Sequence, residues 1–135
     1  MTKTIFISLP VRDLPASVAF YKALGFEPNP KLSDGTGAAM AWSEAIQVML
    51  ISHPRWRTFT DKPFPAAGTA GHMLSLSVDS RDVVDGMQAA AAAHGGKADA
   101  NPPEDHGFMY SRDLADPDGH LWATVWMDPA GPQQV

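Results

Sequence analysis

"IFISLPVRD" at residues 5–13 and "MLSLSVDSRD" at residues 73–82 decide the fold when they are set side by side. Ile7-Ser8-Leu9-Pro10-Val11 returns as Leu74-Ser75-Leu76-Ser77-Val78, 67 residues later and about half the chain away. Each stretch alternates large apolar with small polar residues, the period of a strand buried on one face. A helix is expected after each. Asp13 can cap the first, Pro15 is tolerated in its first turn, Leu14, Val18 and Tyr21 form its apolar stripe, and Gly25 stops it. The second, near 80–94, has Asp79 or Ser80 as cap, Val84, Met87 and Ala91 as stripe, and Gly95-Gly96 at its end. Further strands are expected at 26–30, 37–43 and 45–52 in the first half, and at 98–102, 107–115 and 120–127 in the second.

The pattern is therefore β-α-β-β-β, twice, an α+β fold of two βαβββ modules. A long unit present only twice implies halves related by pseudo-symmetry, with paired curved mixed sheets around a cleft and helices on the outer faces. The reading is one domain over 1–135: module 1 about 3–52, an arm at 53–70, module 2 about 71–127 and a tail at 128–135. Ile5, Ile7 and Leu9, and Leu74, Leu76 and Val78, are expected to meet the helices. Phe6, Ser8, Met73, Ser75 and Ser77 then face away, either lining the cleft or facing water on a one-sided sheet. The arm, with three prolines, is expected to lack regular structure, and Trp56, Phe59 and Phe64 suit a flap or a subunit contact.

Composition narrows the function. With 44% hydrophobic and 19% charged residues the chain is globular, and its scattered Lys and Arg at a net charge of −5 argue against a nucleic-acid partner. Without cysteine there is no disulfide, no thiolate nucleophile and no Cys-based zinc site. No apolar run reaches membrane-spanning length and the first strand begins almost at Met1, so a soluble cytoplasmic protein is expected.

Three motifs together carry a resemblance: Val11-x-Asp13-Leu14, a helix with Phe20-Tyr21 and then Leu24-Gly25-Phe26, and Asp116-Pro117-Asp118-Gly119-His120 before a final strand. Over residues 3 to 127 the chain resembles the vicinal oxygen chelate superfamily, which includes glyoxalase I, bleomycin-resistance proteins and extradiol dioxygenases. The resemblance implies a divalent metal held by His, Glu or Gln from the first and last strands of each module. Carried onto this chain, those positions are Phe6, Met49, Met73 and Ala123. A phenyl ring and a methyl group donate nothing, and a thioether is a soft ligand. No metal and no cofactor are therefore expected, with His72, Gln47 and His120 as displaced alternatives.

Phe6, Ser8, Gln47, Met49, Met73, Ser75 and Ala123 are the expected ligand-binding residues, with Met40 and Met127 nearby. Methionines there would give an adaptable apolar surface. The resemblance then implies a homodimer that sequesters a small apolar or aromatic molecule, as bleomycin-resistance relatives do. An enzyme of glyoxalase, lyase or dioxygenase type, metal-free or with displaced ligands, is the alternative. Its candidate catalytic residues are Tyr110 and Arg112, which otherwise read as a strand aromatic and a cation paired with Asp113 or Asp116. A third reading fills the cleft with its own side chains and makes the protein an interaction partner.

Overall fold

The computed structural model describes residues 3–132; residues 1–2 and the end of the tail, 133–135, lie outside the described residues. Among the described residues the fold is α+β, two four-stranded mixed sheets with three α-helices. The chain divides between Pro65 and Ala66 into two compact units.

In the first unit, β1 (Ile5–Val11), β2 (Glu27–Asn29), β3 (Gly37–Ser43) and β4 (Ile46–Ser52) form a sheet in the order β1-β4-β3-β2. β1 and β4 run parallel and the remaining pairs antiparallel. Helix α1 (Leu14–Leu24) begins where the Asp13 carboxylate accepts the Ala16 N–H at 3.0 Å, and ends at Gly25, whose φ of 110° only glycine adopts cheaply. Leu9, Val48, Leu50 and Met40 share one sheet face by register and are fully or almost fully buried. α1 contributes Phe20, Tyr21 and Leu24 to the core. Phe20, Tyr21 and Phe26 meet edge-on at 5.1 and 5.3 Å, geometry worth roughly 0.5–1.5 kcal/mol per pair beyond burial.

The second unit repeats this plan. β5 (Met73–Ser77), β6 (Glu104–Asp105), β7 (Met109–Ala115) and β8 (Leu121–Met127) pair in the order β5-β8-β7-β6, with β5 parallel to β8. Helix α3 (Arg81–Ala93) is capped by Ser80, whose hydroxyl accepts the Val83 N–H. It buries Val84, Met87, Gln88 and Ala91. The largest fully buried side chain is Trp122, on the same face of β8 as Thr124.

Several expectations change. Ile5 is 54% exposed rather than packed on the helix, because burial rises along the edge strand β1 and becomes complete only at Leu9 and Val11. Leu14 and Val18 are half-buried, and Phe20 takes the place they were given. Met40 belongs to the helix-side core, since its register partner is Val48. No strand forms over 98–102. Asp99 adopts a left-handed φ of 50°, Pro102-Pro103 has no N–H to donate, and pairing resumes only at Glu104.

The arm is not wholly irregular. Ser52 caps a short helix, α2 (His53–Trp56), with Pro54 in its first turn. His53 stacks on Phe64 at 4.2 Å, and the Arg57 guanidinium lies 4.0 Å from the same ring, so these groups find partners within the arm. Phe59 remains 57% exposed, with Arg55 over its ring.

Candidate functional site

The Asp116-Pro117-Asp118-Gly119 turn sets the start of β8. The buried Asp116 carboxylate accepts the N–H groups of Asp118 and His120 at 2.9 and 2.8 Å, and Gly119 takes the left-handed conformation at φ 91°. Backbone bonds from Asp116 to His120 and from Gly119 to Asp116 close the turn. β8 therefore enters the sheet in one register, with Ala123 between Ser75 of β5 and Asp113 of β7.

That row is the floor of a pocket of about 400 Å³ within the second unit. The small Ala123 side chain makes a depression between larger neighbours. Met73 and Val125 add apolar surface, and Ser111 lies beside Asp113 on the same face. A wall is built by residues 101–104, Asn-Pro-Pro-Glu. The Asn101 side-chain amide donates to Asp113 at 2.9 Å, tying the wall to the floor. The lining is mixed: an apolar centre, two hydroxyls, and the carboxylates of Asp113 and Glu104.

Of the expected ligand-binding residues, Met73, Ser75 and Ala123 come together here. Phe6, Ser8, Gln47 and Met49 lie on the equivalent face of the first sheet, where Phe6 pairs with Gln47 and Ser8 with Met49. Gln47 is 7% exposed, and its amide donates to the carbonyls of Ser43 and Glu44. Met127 is 55% exposed at the end of β8, outside the pocket lining. Wall residues 101–104 were missed by sequence reasoning, which assigned Asn101 and Pro102 to a strand; the Pro102-Pro103 pair is the signal that places residues 101–103 in a loop ahead of β6.

Tyr110 and Arg112 sit on the face of β7 that carries Leu114, opposite Ser111 and Asp113. The Tyr110 hydroxyl donates to Asp85 of α3 at 2.6 Å. Arg112 forks onto both oxygens of Asp99 at 2.8 and 2.7 Å and also reaches Asp85 at 2.8 Å. Its carboxylate partners are thus Asp99 and Asp85, in place of Asp113 or Asp116. The Asp85 hydrogen bond raises the Tyr110 pKa, and the Asp99 hydrogen bond raises that of Arg112. Arg81 lies over the rings of Tyr110 and Trp126 and holds Asp105 bidentately at 2.9 Å, which lowers the Asp105 pKa to about 2. These charges satisfy one another on the helix side of the sheet.

The inherited metal positions do not fit a hard divalent ion in either unit: Phe6 and Met49 in one, Met73 and Ala123 in the other. Among the described residues no group of three His, Asp or Glu side chains stands within reach of a common ion. His72 is exposed and precedes β5, while the His120 N–H is fixed in the turn by Asp116.

Comparison with known proteins agrees with this architecture. Residues 4–124 match the Glyoxalase/Bleomycin resistance protein/Dioxygenase superfamily, and the chain belongs to it. A hypothetical protein from S. aureus superposes with a TM-score of 0.78 at 25% identity, covering 93% of this chain and 95% of that one. A glyoxalase-related enzyme from Fulvimarina pelagi gives 0.76 at 19% identity, covering 93% and 88%. A glyoxalase/bleomycin resistance protein/dioxygenase family enzyme from Burkholderia phytofirmans PsJN gives 0.73 at 18%, covering 90% and 96%. No curated protein matches the chain. No helix among the described residues is long and apolar enough to cross a membrane.

Proposed function

We propose that this protein binds a small, largely apolar or aromatic molecule in the pocket of its second sheet and sequesters it without metal chemistry. The observation that supports this is the floor itself, where Ala123 leaves room between Ser75 and Asp113 and Met73 offers a deformable apolar wall. Ser75, Ser111 and Asp113 supply hydrogen-bonding groups that fix a ligand's orientation. Phe6, Ser8, Gln47 and Met49 form the corresponding candidate surface on the first sheet. A cytoplasmic site of action is part of the proposal.

The test is titration of the purified protein with Nile red, a neutral apolar dye, together with elemental analysis after dialysis against a chelator. Saturable uptake by metal-free protein is expected. No saturable uptake would overturn the binding reading. About one equivalent of Ni, Zn, Fe or Mn retained per chain would favour the competing reading, a glyoxalase- or dioxygenase-type enzyme with His72, Gln47 and His120 as displaced ligands.

The proposal also includes a homodimer. Ile5, Phe6 and Met73 on the edge strands, and Phe59 in the arm, are large apolar side chains about half exposed, as surfaces destined for a partner are. Sedimentation at micromolar concentration is expected to give twice the chain mass of 14.5 kDa, and a monomer would count against pairing.

A further inference from the structure

The pocket wall at 101–104 has almost no regular structure, yet it is fastened at its root from the far side of the sheet. Asp99 is the single non-glycine with positive φ among the described residues, a conformation disfavoured for side-chain-bearing residues, though Asp and Asn enter it more readily than most. Two groups hold it. The Asp99 N–H donates to Gln88 Oε1 at 2.9 Å, and the Asp99 carboxylate receives the Arg112 fork. The next residue, Ala100, donates its N–H to the Asp113 carbonyl at 2.8 Å, and Asn101 binds the Asp113 side chain.

Arg112 alternates along β7 with Ser111 and Asp113, which line the pocket, while its own side chain lies on the helix side. It reaches no ligand directly. Its third contact, to Asp85, anchors the fork to α3. We infer that Arg112 is a positioning residue whose clasp on Asp99 fixes the wall of the binding pocket and thereby sets the size of molecule admitted. The selectivity rests on the binding proposed above; the clasp does not.

Two variants cut the same bond. Arg112→Gln removes the fork, and Asp99→Asn removes the charge while keeping a residue that tolerates the left-handed region, so it covers the case in which Arg112→Gln fails to fold. Amide hydrogen exchange on ligand-free protein reads the clasp. Exchange at Asp99 and Ala100, whose N–H groups are hydrogen-bonded to Gln88 and Asp113, is expected to accelerate about ten-fold or more while that of α3 stays within about two-fold, the mark of local rather than global opening. Affinities for Nile red and for naphthalene, the latter read by displacement of Nile red, report selectivity. With the wall released, the ratio favouring the larger probe is expected to rise about five-fold in both variants, whereas a merely structural loss weakens both probes alike.

Unchanged exchange at Asp99 and Ala100 would overturn the clasp. Accelerated exchange with an unchanged probe ratio, in protein that takes up both probes, would overturn its control of size. If the wild type takes up neither probe, the binding reading fails and the selectivity with it, while exchange still decides the clasp.

Discussion

Gln88→Ala is expected to destabilise the second unit by about 3 kcal/mol, more than any exposed substitution on the same helix. Gln88 is 1% exposed and uses both ends of its amide. Nε2 donates to the Arg112 carbonyl at 3.1 Å and to Thr124 Oγ1 at 3.2 Å, while Oε1 accepts the Asp99 N–H at 2.9 Å. Each bond is worth about 1 kcal/mol net, and a buried donor left without an acceptor costs about 1–3 kcal/mol. Thr124 keeps its own bond to the Arg112 carbonyl at 2.9 Å, so part of the network survives. The orphan is the part-buried Asp99 N–H, which puts its penalty at the low end of that range. Gln88→Leu, which keeps the volume, is expected to recover only the cavity part of the loss. Urea unfolding with an unchanged m-value measures the difference. Val83→Ala, at a 42% exposed position of α3, is the reference. A Gln88→Ala cost within about 0.5 kcal/mol of that reference would show the network to be energetically idle.

Gln88 also marks how far local pattern carries. Helix α1 was legible to the residue, because Asp13, Pro15 and Gly25 act on their own neighbours and need nothing distant. Three of the long strands, β3, β4 and β8, were legible to within a residue at each end, since alternation reports a face. Beyond Asp99, 11 residues on, the partners of Gln88 lie 24 and 36 residues away, at Arg112 and Thr124. Nothing near position 88 announces them, although Val84, Met87, Gln88 and Ala91 do complete a full helical stripe. The Arg112 partner was misread for the same reason: Asp113 and Asp116 are near in sequence, but Asp113 points to the opposite face of β7 and Asp99 is brought in by the loop. At the site, alternation placed Met73 and Ser75 on one face, and the family resemblance put Ala123 with them. The wall at 101–104 was hidden, because its course follows from the left-handed turn at Asp99 rather than from any period.

Ala123→Phe is expected to abolish probe uptake while leaving the fold intact. Ala123 is 4% exposed at the floor of the pocket, between Ser75 and Asp113, with Met73 and Val125 beside it. A molecule that buries about 250 Å² of apolar surface there gains about 6 kcal/mol before the costs of association, a dissociation constant no tighter than roughly tens of micromolar. The margin is thin. A phenyl ring rising from the floor takes the same space and satisfies the same apolar wall from within the chain. Overpacking in a filled core costs about 1–3 kcal/mol, but here the ring enters a cavity of about 400 Å³, so the unfolding midpoint should change little. Nile red affinity is expected to fall about 100-fold or more, beyond detection at millimolar protein. Ala123→Glu separates shape from charge. It adds a carboxylate beside Asp113 and repels that neighbour, while Met73 has no hard donor to offer an ion. Retained uptake in Ala123→Phe, with the wild-type affinity, would place the ligand elsewhere and remove the second sheet from the account of binding.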